Sequence, residues 1–131
     1  MKKLIAILLL INLIVSNANS IEADVFVQST VNRASEILSK NISRKERMNG
    51  LKIIAKETVD IRGVGFYSLG STRKILNENQ KQKYFDLFEN YFLKSFSSRL
   101  SEYTNPKIEV HDKKEINRNY TIVNSILVGS A

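Results

Sequence analysis

Few residues in this 131-residue chain could do covalent or acid–base chemistry. There is one histidine, His111, with Asp112 beside it, and there is no cysteine. A carboxylate beside an imidazole can orient a general base, but catalysis also needs a nucleophile or a second ligand placed with it, and the sequence supplies none. His111 therefore reads as a surface residue at a strand end. Without cysteine, thiol catalysis, Cys-based metal sites and disulfides are excluded, and the fold must rest on its apolar core. Asp and Glu are scattered over helix surfaces and caps, so no paired-carboxylate site can be argued from them. Gly63-Val64-Gly65 hints at a phosphate loop, but Gly70 is misplaced for GxGxxG and no strand precedes the pair. Asn41-Ile42-Ser43 and Asn119-Tyr120-Thr121 fit the glycosylation pattern and read as chance matches behind a bacterial-looking leader. No catalytic constellation survives, which points away from an enzyme.

The residues that stand out instead are aromatic. Tyr84, Phe85, Phe88, Tyr91, Phe92, Phe96, Leu100 and Tyr103 recur at helical spacing, four phenylalanines and three tyrosines within twenty residues. Such rings usually bury ~150–250 Å² each. One reading makes the stripe core. The other makes part of it the wall of a cavity for an acyl chain. Core and cavity wall use the same residue types, so periodicity alone does not separate them.

The stripe needs a helix to carry it. Asn77 with Gln80 three residues on is a capping arrangement, and Glu78 suits the positive helix N-terminus. From there a helix is expected to run to about Tyr103, with Lys81, Asp86, Glu89, Lys94 and Arg99 on its other faces. Upstream, Val27, Val31, Ala34, Ile37 and Leu38 mark one face of a helix from Asp24 to about Ser39. Ser43 and Glu46 have capping-box spacing for a second helix, with Met48, Leu51, Ile54 and Ala55 inward and its end near Val59. Gly50 weakens its middle by ~1 kcal/mol relative to Ala. Asp60 caps a short third helix, Ile61 to Leu69, closed by Gly70, and a polar connector leads on to Asn77.

Strands follow. Asn105-Pro106 ends the long helix. Residues 107–111 alternate polar and apolar, Asp112 to Asn119 reads as a charged turn, and Tyr120 to Val128 forms the second strand of an antiparallel hairpin. Three helices and a hairpin that ends in an apolar strand look unfinished, because an isolated two-stranded sheet is marginal. Further strands are expected to follow or to come from a partner.

The N-terminus sets the compartment. Met1-Lys2-Lys3, the apolar run Leu4 to Val15, and Ser16-Asn17-Ala18-Asn19-Ser20 form an export signal with Ala18 and Ser20 at the cleavage spacing. The run is far shorter than the ~20 residues needed to cross a bilayer. Residues 1–20 are thus expected to be removed, leaving 21–131 as one domain with no membrane-spanning segment. Loss of Lys2 and Lys3 takes the net charge from +7 to +5. The remaining cations, among them Arg44, Lys45, Arg47, Arg73, Lys74, Lys81 and Lys83, read first as solvated helix faces. The sharper reading is attraction to anionic headgroups or an acidic partner. An exported chain without a recognisable module gives no support to nucleic-acid binding.

The ordered set Asp60, Leu69-Gly70, Lys74, Gln80, Tyr84-Phe85, Phe88, Tyr91, Leu93, Ser95, Arg99-Leu100-Ser101-Glu102-Tyr103 and Lys107 to Val110 resembles the MlaC family, also called the toluene-tolerance auxiliary family. The resemblance spans about residues 24–128. It implies an α+β fold, with N-terminal amphipathic helices packed on a curved antiparallel sheet of which only the first hairpin is present here. It implies a periplasmic phospholipid-binding component of an ABC transport system, a shuttle that helps to maintain outer-membrane lipid asymmetry. The expected cargo is a phospholipid, with no other cofactor and no metal. The expected partners are an inner-membrane ABC transporter complex and an outer-membrane lipoprotein complex. The cavity lining expected on this basis is Val64, Tyr67, Leu69, Phe85, Phe88, Phe92, Val110, Ile122 and Ile126. Two departures stand out. Arg73 and Lys74 follow Leu-Gly where the family usually has an aromatic, often Trp, and the family continues beyond the second strand, which makes a C-terminally truncated chain the expectation. The alternatives are a small envelope module completed by a partner strand, a non-functional fragment, and a small α+β enzyme acting on an apolar substrate.

Overall fold

Two hydrogen-bonded boxes start the principal helices. In the computed structural model, which describes residues 21–128, the Glu46 amide donates to Ser43 Oγ at 3.2 Å while the Ser43 amide donates to the Glu46 carboxylate at 2.9 Å. These reciprocal bonds satisfy amide groups that a helix start otherwise leaves unpaired, and the two bonds from Ser43 hold the Glu46 carboxyl below its ordinary value. Asn77 and Gln80 repeat the device, at 2.9 and 3.0 Å. Asp60 caps the third helix by accepting from the Gly63 amide at 2.9 Å. The leader expected over 1–20 and the terminal Gly129-Ser130-Ala131 lie outside the described residues.

The elements are α1 (Ala23–Ser39), α2 (Arg44–Thr58), α3 (Ile61–Ser68), a 3₁₀ turn (Gly70–Lys74), α4 (Glu78–Leu100), β1 (Lys107–Asn117) and β2 (Tyr120–Val128). Among the described residues the architecture is α+β, with four α-helices followed by one antiparallel hairpin. α2 packs against both α1 and α4, α3 packs on α4, and the hairpin packs chiefly on α1. Leu51 and Ala55 of α2 are fully buried. Ala55, Ile61 and Leu93 form the centre of the core, with Val59, Phe88, Phe92 and Phe96 packed around it.

Three segments depart from the sequence expectations. α4 stops at Leu100 rather than near Tyr103, and Asn105 then takes a left-handed φ of 49° before Pro106, a conformation Asn tolerates. The connector after Gly70 is a 3₁₀ turn, closed by the Thr72 amide on the Leu69 carbonyl and the Ile75 amide on the Thr72 carbonyl. The larger correction concerns residues 112–119, of which only Arg118-Asn119 form the turn. β1 continues to Asn117, and Lys113, Lys114 and Glu115 pair with Val123, Ile122 and Thr121. Two register irregularities, between Val110 and Lys113 and between Glu115 and Asn117, bend the hairpin. This half of β1 is solvent-exposed throughout, so it carries charge without an apolar alternation to announce it.

Charge also ties the hairpin to α1. The Lys113 ammonium meets the carboxylates of Glu22 and Asp24, the latter at 3.0 Å. That hydrogen bond holds the Asp24 carboxyl below its ordinary value, and the two carboxylates raise the Lys113 ammonium.

Two glycines mark close approaches. A Cβ on Gly50 would lie 2.7 Å from Ile37 Cδ1, the free end of a flexible side chain. A Cβ on Gly65 would lie 2.9 Å from the Phe88 ring, which is held between neighbouring rings. Gly65→Ala is therefore expected to destabilise by roughly 1–3 kcal/mol through overpacking. Gly50→Ala is expected near neutral, since a gain of ~1 kcal/mol in helix propensity offsets a small shift of Ile37. Urea titration of both variants checks the contrast. A second expectation concerns acid. Because the Asp24 value is depressed in the folded chain, its contribution is present above the unfolded value and is lost as pH falls through the lower folded one. Hairpin amides, corrected for intrinsic exchange rates, should keep their protection from pH 6 down to about pH 4 and lose it below that, and Lys113→Gln should remove that difference.

Candidate functional site

The α4 aromatics resolve into two sets. Tyr84, Phe88, Phe92 and Phe96 sit four residues apart, so each ring lies one turn above the last on the same helix face. Their centroids are 5.7, 6.3 and 5.7 Å apart and successive rings are stacked, within the range in which aromatic pairs attract. All four are half-buried. Over twelve residues the ladder extends about 18 Å. Phe85 belongs to the second set. It is buried between α3 and α4 and meets Tyr84 edge-on at 5.6 Å.

Beside Phe85 lies an open cleft of about 490 Å³, lined by Asp60, Arg62, Gly63 and Phe66 from α3 and by Glu78, Lys81, Gln82 and Phe85 from α4. Its floor is aromatic and its rim carries both charges. The Arg62 guanidinium lies over the Phe85 ring at 4.5 Å. Arg73 reaches back from the 3₁₀ turn and lies over Phe66 at 5.0 Å, a cation–π contact at each ring. Arg73 thus packs at the turn after Leu69-Gly70, where the resembled family usually has an aromatic. Asp60 is engaged by the Gly63 amide and Glu78 by Lys81 at 2.8 Å. The bond from Lys81 holds the Glu78 carboxyl below its ordinary value.

The nine expected lining residues fall in three places. Phe85, Phe88 and Phe92 gather on α4, and Phe88 and Phe92 pack against the core formed with α2 and α3. On α3, Val64 and Tyr67 are exposed, and Leu69, just past its end, is half-buried. Val110 is half-buried on β1, while Ile122 and Ile126 are about half exposed on β2, in a hairpin that packs chiefly on α1. The described residues thus bring the α4 members together and hold the α3 and β2 members at exposed surfaces. The cleft was not expected from the sequence. Its signal was the pairing of Arg62 and Arg73 with Phe85 and Phe66, which only the fold brings together. His111 is exposed, 3.9 Å from Glu109. Among the described residues no group of three or more acidic or histidine side chains could hold a metal, and no helix is long and apolar enough to cross a membrane.

An aromatic-spined helix beside a charge-rimmed cleft, followed by a hairpin with exposed apolar side chains, makes up the α+β fold of the described residues. The sequence model of the family described as MlaC protein matches residues 28–131, and the chain belongs to that family. The family is one of periplasmic lipid-binding transport proteins. No curated protein and no solved structure matches the chain significantly.

If the ladder is coupled through its stacked rings, Phe88→Leu should cost more than apolar area alone. We expect a loss of about 2 kcal/mol in stability, with reduced near-ultraviolet tyrosine dichroism from Tyr84. Chemical denaturation and circular dichroism of the variant check both.

Proposed function

We propose that the mature chain, residues 21–131 after removal of an export signal over 1–20, binds a phospholipid and carries it through the periplasm between the two membranes. The ladder on α4 is the observation that carries this reading. Its length of about 18 Å matches one leaflet of a bilayer, about half of a ~30 Å hydrocarbon core. Half-buried rings offer an acyl chain an apolar track, and each methylene buried contributes ~0.8 kcal/mol. Tyr84 touches Phe85 at the floor of the cleft, so an acyl chain on the ladder would leave its polar end near Arg62 and Lys81. Val110, Ile122 and Ile126 on the hairpin and Val64 and Leu69 at α3 offer further apolar surface, separate from the ladder in this conformation. Transport of this kind needs handing-over partners, an inner-membrane ABC transporter complex and an outer-membrane lipoprotein complex, and no catalytic residue. It would serve the maintenance of outer-membrane lipid asymmetry.

A second reading follows from the hairpin. Each of its strands has a free edge among the described residues, and Ile122, Ile126, Leu127 and Val128 are exposed beside it. Such an edge can be extended by a strand from a partner.

Native mass spectrometry of the full chain purified from the periplasm is expected to show the protein with one bound phospholipid. Ile122→Lys with Ile126→Lys, at exposed positions, should lower the lipid-bound fraction at least tenfold while leaving the far-ultraviolet spectrum unchanged. A folded, lipid-free monomer in the wild type would remove the carrier reading. Recovery of a strand-donating envelope protein with that lipid-free form would favour the second.

A further inference from the structure

The outward face of α3 combines cations seated on rings with the most exposed apolar side chains of the described residues. Its inner side buries Ile61 and Gly65. Its outer side, at helical spacing, presents Arg62, Phe66 and Tyr67, and Arg73 folds back over Phe66 from the 3₁₀ turn. Lys74 and Ile75 follow directly. Tyr67 and Ile75 are the two most exposed large apolar side chains of the described residues, at 83 % and 81 %. Phe66 beside them is 44 % exposed.

The charges on this face are unequal in a particular way. Its carboxylates are already engaged, Asp60 by the Gly63 amide and Glu78 by Lys81. Apart from Lys81, its cations are not. Among the described residues neither Arg62, Arg73 nor Lys74 forms an ion pair, although Arg33, Arg44, Lys56 and Lys113 all do. Arg62 and Arg73 instead rest on aromatic rings. A guanidinium that rests on a ring without a carboxylate partner leaves N–H donors for another acceptor, and its planar fork matches phosphate oxygens.

We propose that this face, Arg62, Phe66, Tyr67, Arg73, Lys74 and Ile75, docks the protein on the surface of an anionic phospholipid bilayer. Arginine and lysine meet the lipid phosphates, and Tyr67 and Ile75 enter the headgroup layer. Aromatic and aliphatic side chains next to cations are the combination that interfacial binding uses. An acidic protein surface would satisfy the cations but would leave Tyr67 and Ile75 without an apolar environment. Docking goes beyond the carrier reading and does not require it, because a protein can sit on a bilayer without extracting lipid.

The chain has no tryptophan, so Tyr67→Trp installs a single reporter on this face and Tyr91→Trp a control at another exposed tyrosine. With vesicles of equal parts phosphatidylglycerol and phosphatidylcholine, the full chain should co-sediment. Emission from Tyr67→Trp should move to shorter wavelength and be quenched by bromine-labelled acyl chains, and Tyr91→Trp should not change. Binding should be absent on pure phosphatidylcholine and should fall as salt is raised. The triple variant Arg62→Gln, Arg73→Gln, Lys74→Gln should lose on the order of a hundredfold in affinity, at about fivefold per cation. The charge-matched triple Lys45→Gln, Lys94→Gln, Arg118→Gln should lose much less. Equal losses in the two triples, or binding indifferent to lipid charge, would overturn the proposal. So would retention of an acidic envelope protein by this face with vesicles left unbound. Lipid removed from the vesicles is read separately from protein co-sedimentation. Docking without extraction would therefore sink the carrier reading alone, and extraction without docking would sink this one alone.

Discussion

The seating of Phe88 against Gly65 is the contact on which the rest of the structure depends. It brings α3 onto α4 at a distance no side chain on residue 65 would permit. That approach closes Ile61 over Ala55 and Leu93. It also fixes Phe88 in the middle of the ring ladder, and through Tyr84 it fixes Phe85 at the floor of the cleft. A chain of this size has little core with which to compensate for a loosened centre. The buried apolar side chains are few, and much of the remaining apolar surface lies half-buried or exposed.

Two kinds of electrostatics act in the molecule. At the hairpin, opposite charges are matched within the chain, with Lys113 clamped by Glu22 and Asp24. This ties β1 to α1 where little apolar contact is on offer. At the outer face of α3 the anions are consumed locally by a helix cap and a neighbouring lysine, while the guanidinium groups are parked on rings. One arrangement spends its charge internally on holding the fold together. The other leaves positive charge directed at solvent, where screening limits its reach to about 10 Å at 0.1 M salt.

Much of this was legible in the sequence, because its signals were local. Ser43 with Glu46, Asn77 with Gln80 and Asp60 before Ile61 announce helix starts through bonds made within three residues, and each forms as read. The second strand, Tyr120 to Val128, and the α+β order were legible for the same reason. The second half of β1 was not. Apart from the exposed Ile116, Lys113 to Asn117 is polar and uncovered, and its strand conformation comes from pairing with β2 and from the clamp to α1, neither of which periodicity reports. The cleft was hidden for a related cause. Arg73 and Phe66 lie seven residues apart, two turns of a continuous helix, and the 3₁₀ turn after Gly70 is where they meet. Among the expected lining residues, the α4 members share a face that the sequence already implied. The placement of Tyr67 on an outer face depends on which side of a short helix, punctuated by two glycines, turns inward.

Transfer of labelled phospholipid between donor and acceptor vesicles, followed as a function of protein concentration, tests lipid carriage most directly. A carrier raises the transfer rate in proportion to its concentration, and the rate falls when Ile122 and Ile126 are replaced by lysine. Transfer no faster than in the absence of protein, from a chain shown by circular dichroism to be folded, contradicts it.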